Sequence, residues 1–215
     1  MSLPMNRRTA LAGSLAVGGW LWSDRSRADE VAHPMPRASD RLPDLPLINH
    51  RGEKVRFYTD LISNRPVVIN MMYVNCRGTC PGTTARLSEM WPELEAAIGH
   101  NLRLISITLE PETDSPKVLA EYAESYQPRK ASSLKSDWQF LSGQKGDIEA
   151  IRKGLGLTDP DPKIDQDVTQ HATLLTFGND RLDRWASLPV ETSPNQMLKT
   201  IIRILRGAQT SGSQP

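Results

Sequence analysis

The chain has 215 residues, 38% hydrophobic and 24% charged, with 26 Lys+Arg against 25 Asp+Glu and a formal net charge of +1. That length holds one ordinary domain plus appendages, and that composition excludes wholesale disorder and a polytopic membrane protein. The balance of charge argues against nucleic acid as a partner, because phosphate binding needs a basic excess on one face.

The first segment reads as an address. Met5-Asn6-Arg7-Arg8-Thr9 leads into Ala10–Trp22, an apolar run rich in Gly and Ala, and the charged stretch behind it ends in Ser26-Arg27-Ala28. An arginine pair, a short apolar run and a small-x-small exit match an export signal over residues 1–28. Adjacent arginines point to the twin-arginine route, with the general secretory route or an uncleaved anchor as alternatives. The run is shorter than the roughly 20 apolar residues of a spanning helix. Residues 1–28 hold four arginines and one aspartate, so removing them takes the formal net charge from +1 to −2. Residues 29–42, with His33-Pro34-Met35-Pro36, read as a Pro-rich tether, 43–207 as the folded domain and 208–215 as a polar tail.

Within the domain, Val67–Val74 is a nearly continuous apolar run, the pattern of a central strand covered on both faces. Leu87, Met90, Trp91, Leu94, Ala97 and Ile98 predict a helix over 83–98, which Pro92 should kink or interrupt. Leu102–Leu109 predicts a second buried strand, and Ser115-Pro116 the start of a helix with Val118, Leu119, Tyr122, Ala123 and Tyr126 on one face. Trp138–Leu141 predicts a short strand and Asp147–Leu155 a helix. Thr173–Phe177 and Leu182–Ala186 flank Gly178-Asn179-Asp180, a hairpin signal. Ser193-Pro194 opens a last helix that turns Met197, Leu198, Ile201, Ile202 and Leu205 inward. Strand–helix–strand alternation closed by a hairpin and a helix predicts an α/β sandwich around a mixed sheet.

Only two cysteines are present, too few for the framework of a small secreted domain. They stand in Cys76-Arg77-Gly78-Thr79-Cys80-Pro81, where the first buried strand hands over to the first long helix. In an open α/β sheet chemistry collects at that junction, and the N–H groups of a helix start stabilise a thiolate. Pro81 suits a first helical turn, which sets Cys80 at or beside the cap; Gly78 can supply a positive φ if the loop requires one. Two thiolates at this spacing can close a disulfide or clamp a soft metal such as Cu(I). A static disulfide, or two thiols packed as small hydrophobes, is the bland alternative, and so small a ring would be a weak staple.

Four histidines offer a further ligand. His33 lies in the tether and His50 beside a turn at Arg51-Gly52, so both read as surface residues, and His100 suits a helix C-terminal cap. His171, in Val168-Thr169-Gln170-His171-Ala172, projects just ahead of a strand, as a ligand or as a hydrogen-bonded loop residue. Met71 and Met72 sit inside the apolar run and read as core.

Over roughly Leu42–Leu205 these residues resemble the Sco/SenC family of copper-binding, thioredoxin-fold proteins. Five ordered segments carry the resemblance: Leu45–Gly52, Val67–Pro81, Leu109–Pro116, Trp138–Gly143 and the segment holding His171. It implies a thioredoxin-like three-layer sandwich, a mixed central sheet between flanking helices. It also implies one copper ion per chain, Cu(I) or Cu(II), held by Cys76, Cys80 and His171. Proteins of this kind deliver copper to the dinuclear centre of cytochrome c oxidase. The resemblance therefore implies a periplasmic metallochaperone with an oxidase subunit as client, touching the membrane only through a retained N-terminal segment. The alternative function is a thiol–disulfide oxidoreductase in which Cys76 or Cys80 keeps a client's cysteines reduced. A three-residue spacer, with His171 where thioredoxins place a cis-proline, favours metal over redox exchange. A thiol peroxidase is a third reading, to which Thr79 and Arg77 are only a superficial match. Two departures stand out: Arg77-Gly78 replaces the family's common Pro-Asp, and Gln170 replaces a common Asp.

Overall fold

Pro66–Met72 is buried at every position, so it forms a strand that needs cover on both faces. In the computed structural model, which describes residues 36–126, 134–167 and 173–206, this strand is β3, an inner strand of a seven-stranded sheet with β4 on one side and β6 on the other. The elements are β1 (Pro46–Asn49), β2 (Lys54–Arg56), β3, α1 (Cys80–Ile98), β4 (Arg103–Thr108), α2 (Pro116–Tyr126) and β5 (Asp137–Ser142). They continue with α3 (Lys145–Gly154), α4 (Pro162–Asp165), β6 (Leu174–Asn179), β7 (Arg184–Pro189) and α5 (Pro194–Arg206). Strand order is β2-β1-β5-β4-β3-β6-β7. β3, β4 and β5 run parallel, while β1, β6 and β7 pair antiparallel with their neighbours.

The sheet separates two apolar layers. On one face Leu87, Trp91 and Leu94 of α1, Leu119 of α2 and Ile201 of α5 pack on Val68, Leu104, Trp138 and Phe177. On the other, Ile148 and Ile151 of α3 join Phe57, Leu61 and Ile62 over Ile69, Met71 and Ile105. This is the α/β sandwich with a mixed sheet that the alternation of elements predicts, in the three layers that the resemblance implies. Met71 and Met72 are core, at 1% and 0% exposure. No helix of the described residues is long and apolar enough to cross a membrane.

Four expectations need correction. α1 runs unbroken through Pro92 and starts at Cys80; Met90, Trp91 and Leu94 tie both sides of the proline to the sheet, and such packing overrides a local breaker. The hairpin turns at Asp180–Asp183, two residues late. Gly178 stays within β6, where a Cβ would stand 2.3 Å from the Trp185 ring; it serves close approach, not the turn. His50 is half-buried: its Nδ1 accepts the Phe140 N–H at 3.2 Å, and burial, reinforced by Arg51, pushes its pKa below the usual value.

The last turn of α1 also carries a buried acid. Glu95 accepts the Lys135 and Ser136 N–H groups at 3.0 and 2.7 Å and the Ser136 hydroxyl. Burial works against ionisation, but these donors and His100 hold its pKa down to about 2, from 4.5. A depressed carboxyl stabilises the fold above its unfolded pKa and loses that contribution as pH falls toward the folded one. Glu95→Gln should cost about 2 kcal/mol at pH 7. It should also flatten the loss of stability between pH 4.5 and 2, read by urea unfolding across that range.

Candidate metal centre

β3 delivers the chain to the carboxyl edge of the sheet, and two hydrogen bonds fix how it leaves. Leu109 N–H donates to the Met72 carbonyl at 2.7 Å, and Val74 N–H donates to Asp114 Oδ2 at 3.0 Å. Asp114 is fully buried and also accepts the Thr108 hydroxyl and, at 3.4 Å, that of Thr113. One carboxylate thus ties the segment leading to Cys76 to the connection between β4 and α2. A turn closed by Cys76 N–H to the Tyr73 carbonyl (3.2 Å) follows. Thr79 then takes the N-cap position of α1, with Cys80 and Pro81 in the first turn.

Cys76 and Cys80 are free thiols, 8% and 1% exposed, in one apolar cluster with Tyr73. The first turn of α1 holds no acidic residue, so the positive end of the helix is left to the sulfurs. Thr84 Oγ1 donates to the Cys80 carbonyl at 2.9 Å and Tyr122 OH to Thr84 at 3.1 Å, pinning that turn to α2. The two thiols are not equivalent. Burial, with Cys76 beside it, pushes Cys80 up to about 12. Burial also opposes ionisation of Cys76, yet the Cys80 thiol, the Cys80 and Gly78 N–H groups and the Tyr73 hydroxyl bring it below its usual value. Tyr73 is itself pushed up to about 12, by burial and by Cys76.

Exposure and thiolate character therefore agree on which sulfur reacts first. Iodoacetamide at neutral pH should modify Cys76 at least about tenfold faster than Cys80, the thiolate being the nucleophile. Mass spectrometry of peptides from a time course checks it, and equal rates would contradict the asymmetry.

The structure brings Cys76 and Cys80 together and adds Tyr73 and Asp114, which the sequence did not single out. The described residues contain no group of three or more His, Cys, Asp or Glu able to hold a metal, and His171 lies outside them. β6 runs antiparallel to β3, with Leu175 opposite Asn70, so the chain enters β6 at the edge where β3 leaves for Cys76. The Thr173 carbonyl accepts Val190 N–H at 2.9 Å. Val190 in turn lines a small pocket with Gly78, Thr79 and Thr83, at the start of α1.

A family model described as SCO1/SenC matches residues 35–206 of this chain. Bovine "Protein SCO2 homolog, mitochondrial" is 29% identical over 126 residues, 56% of this chain and 47% of that protein. The "SCO1 protein homolog" of Bacillus subtilis is 33% identical over 75 residues, 34% of this chain and 35% of that protein. The matches thus span about half the length of the first relative and a third of the second. Among solved structures, yeast Sco1 with copper bound superposes with a TM-score of 0.58 at 18% identity, covering 80% of this chain and 99% of that one. At that identity the likeness is one of fold.

Proposed function

This chain belongs to the SCO1/SenC family, and from that premise we propose that it is an exported metallochaperone. Its cargo is one copper ion taken through Cys76, Cys80 and His171, and its client is a copper-containing protein such as a cytochrome c oxidase subunit. The observation that carries the reading is the pair of unbridged cysteines at the positive start of α1, with no carboxylate in the first turn. Soft thiolates of this kind select Cu(I), and an imidazole extends the set toward Cu(II). Yeast Sco1, whose fold this chain shares, has been solved with copper bound, and a Stutzerimonas stutzeri relative is called a putative copper-binding protein. Residues 1–28 supply the export signal. The Asp114 bridge and the Thr84–Tyr122 contact hold the cysteine loop in one shape, so little ordering is left for the metal to impose.

The inequality of the thiols favours a second reading, disulfide exchange. The Cys76 sulfur would attack a client disulfide, forming a mixed disulfide and releasing one client thiolate. Cys80, giving up its proton, would then attack the Cys76 sulfur and release the other, leaving a Cys76–Cys80 disulfide and a client reduced by two electrons.

Copper titration of the reduced chain, followed by metal analysis, separates the two. The carrier binds one copper per chain, and His171→Ala lowers the affinity strongly without changing thiol reactivity. Parent affinity in His171→Ala, with loss of disulfide reduction in Cys76→Ser, would hand the function to redox exchange.

A further inference from the structure

The Cys76 sulfur has its back to the core, against Tyr73 and Cys80, and its exposed neighbours are Asn75, Arg77 and Gly78. Gly78 leaves that side open: a Cβ there would lie 3.9 Å from Cys76 Sγ, in van der Waals contact. A protein that exchanges metal or a disulfide with Cys76 therefore has to touch the Arg77-Gly78 spacer. Arg77 has no ion-pair partner among the described residues. Beside the spacer lies a pocket of about 150 Å3 lined by Gly78, Thr79, Gly82, Thr83, Arg86 and Val190, with Glu191 as its carboxylate. Arg86 Nη1 is held by the Val190 and Thr192 carbonyls at 2.6 and 3.2 Å, which fixes a second guanidinium at the pocket wall. The start of α1 adds a partial positive charge. Glu110 and Glu112 line a cleft with Leu109, Lys145 and Ile148, and of the two the Glu110 charge also reaches Tyr73 behind Cys76.

The geometry points to Arg77 as the residue that selects the client: the partner is a protein carrying carboxylates next to the cysteine that meets Cys76, one of them pairing with the exposed Arg77 guanidinium. This rests on the reading above, in which Cys76 is the exchanging sulfur. A rim charge of this kind acts on the rate of encounter and its salt dependence, and leaves the metal set untouched.

Two synthetic peptides test it, identical except that their cysteine is flanked by Glu or by Lys, each joined by a disulfide to a neutral thiopyridine. Cys76 of the reduced full chain attacks the peptide sulfur, forms the protein–peptide disulfide and releases the chromophoric thione, which takes up the thiol proton. At about 10 mM ionic strength the Glu peptide should react on the order of tenfold faster than the Lys peptide, and the ratio should fall toward one at about 1 M salt. Arg77→Glu should invert the preference while its copper stoichiometry stays that of the parent. A ratio indifferent to Arg77→Glu overturns the proposal. A parent chain that takes up no copper sinks the carrier reading instead, and the peptide ratio still decides this one.

Discussion

Cys76→Ser and Cys80→Ser should each abolish stoichiometric copper binding while leaving the fold intact. Serine keeps the size of the side chain but replaces a polarisable sulfur with a hard oxygen that stays protonated at neutral pH, a poor donor for Cu(I). If binding free energy is shared over three ligands, losing one sulfur costs on the order of a thousandfold or more in affinity. Competition with a Cu(I) chelator of known affinity reads that loss. The two variants should differ in stability. Cys76 is 8% exposed beside a loop, whereas Cys80 is 1% exposed in the apolar cluster. A hydroxyl at position 80 therefore loses its water, and Cys80→Ser should cost about 1–2 kcal/mol, against less than about 0.5 kcal/mol for Cys76→Ser. Parent affinity in either serine variant would remove that sulfur from the proposed ligand set, whatever circular dichroism says of the fold.

What could be read from the chain and what could not divide along a physical line. Periodicity reports which face of an element meets the core, so β3, β4, α1 and α5 were legible. The junction of Val67–Val74 with a helix start, and hence the setting of Cys76 and Cys80, followed from that. Gly178 reads as a turn in the sequence because a sequence shows that a residue lacks a side chain but not what fills the space, here the Trp185 ring. His50 next to Arg51-Gly52 looked like surface, yet Phe140, ninety positions on, supplies both its ring contact and the N–H on Nδ1. Asp114 escaped for the same reason. Between Thr113 and Ser115 it has the appearance of a solvated acid in a helix-start segment, and only the pairing of β3 with β4 brings the Val74 N–H to it.

Asp114 carries the largest stability effect expected near the site. Asp114→Ala strips the acceptor from the Val74 N–H and from the Thr108 hydroxyl, in a place no water reaches, since Asp114 is 0% exposed. Each buried donor left unpaired costs about 1–3 kcal/mol, so the variant should lose about 3–5 kcal/mol, read from urea midpoints at constant slope. Asp114→Asn can still accept through its carbonyl oxygen, but its NH2 group adds a donor to a cluster already supplied with donors. It should lose about 1–2 kcal/mol. The asparagine variant is the informative one, because it folds with the loop less firmly held. If Asp114 only stabilised the domain, Asn would leave copper affinity and Cys76 alkylation where they were. Because it pins the segment two residues before Cys76, Asn should weaken copper binding on the order of tenfold. It should also narrow the gap in alkylation rate between Cys76 and Cys80, since the loop geometry that sets their hydrogen bonds relaxes with it. Unchanged affinity together with an unchanged rate gap would reduce Asp114 to a packing residue.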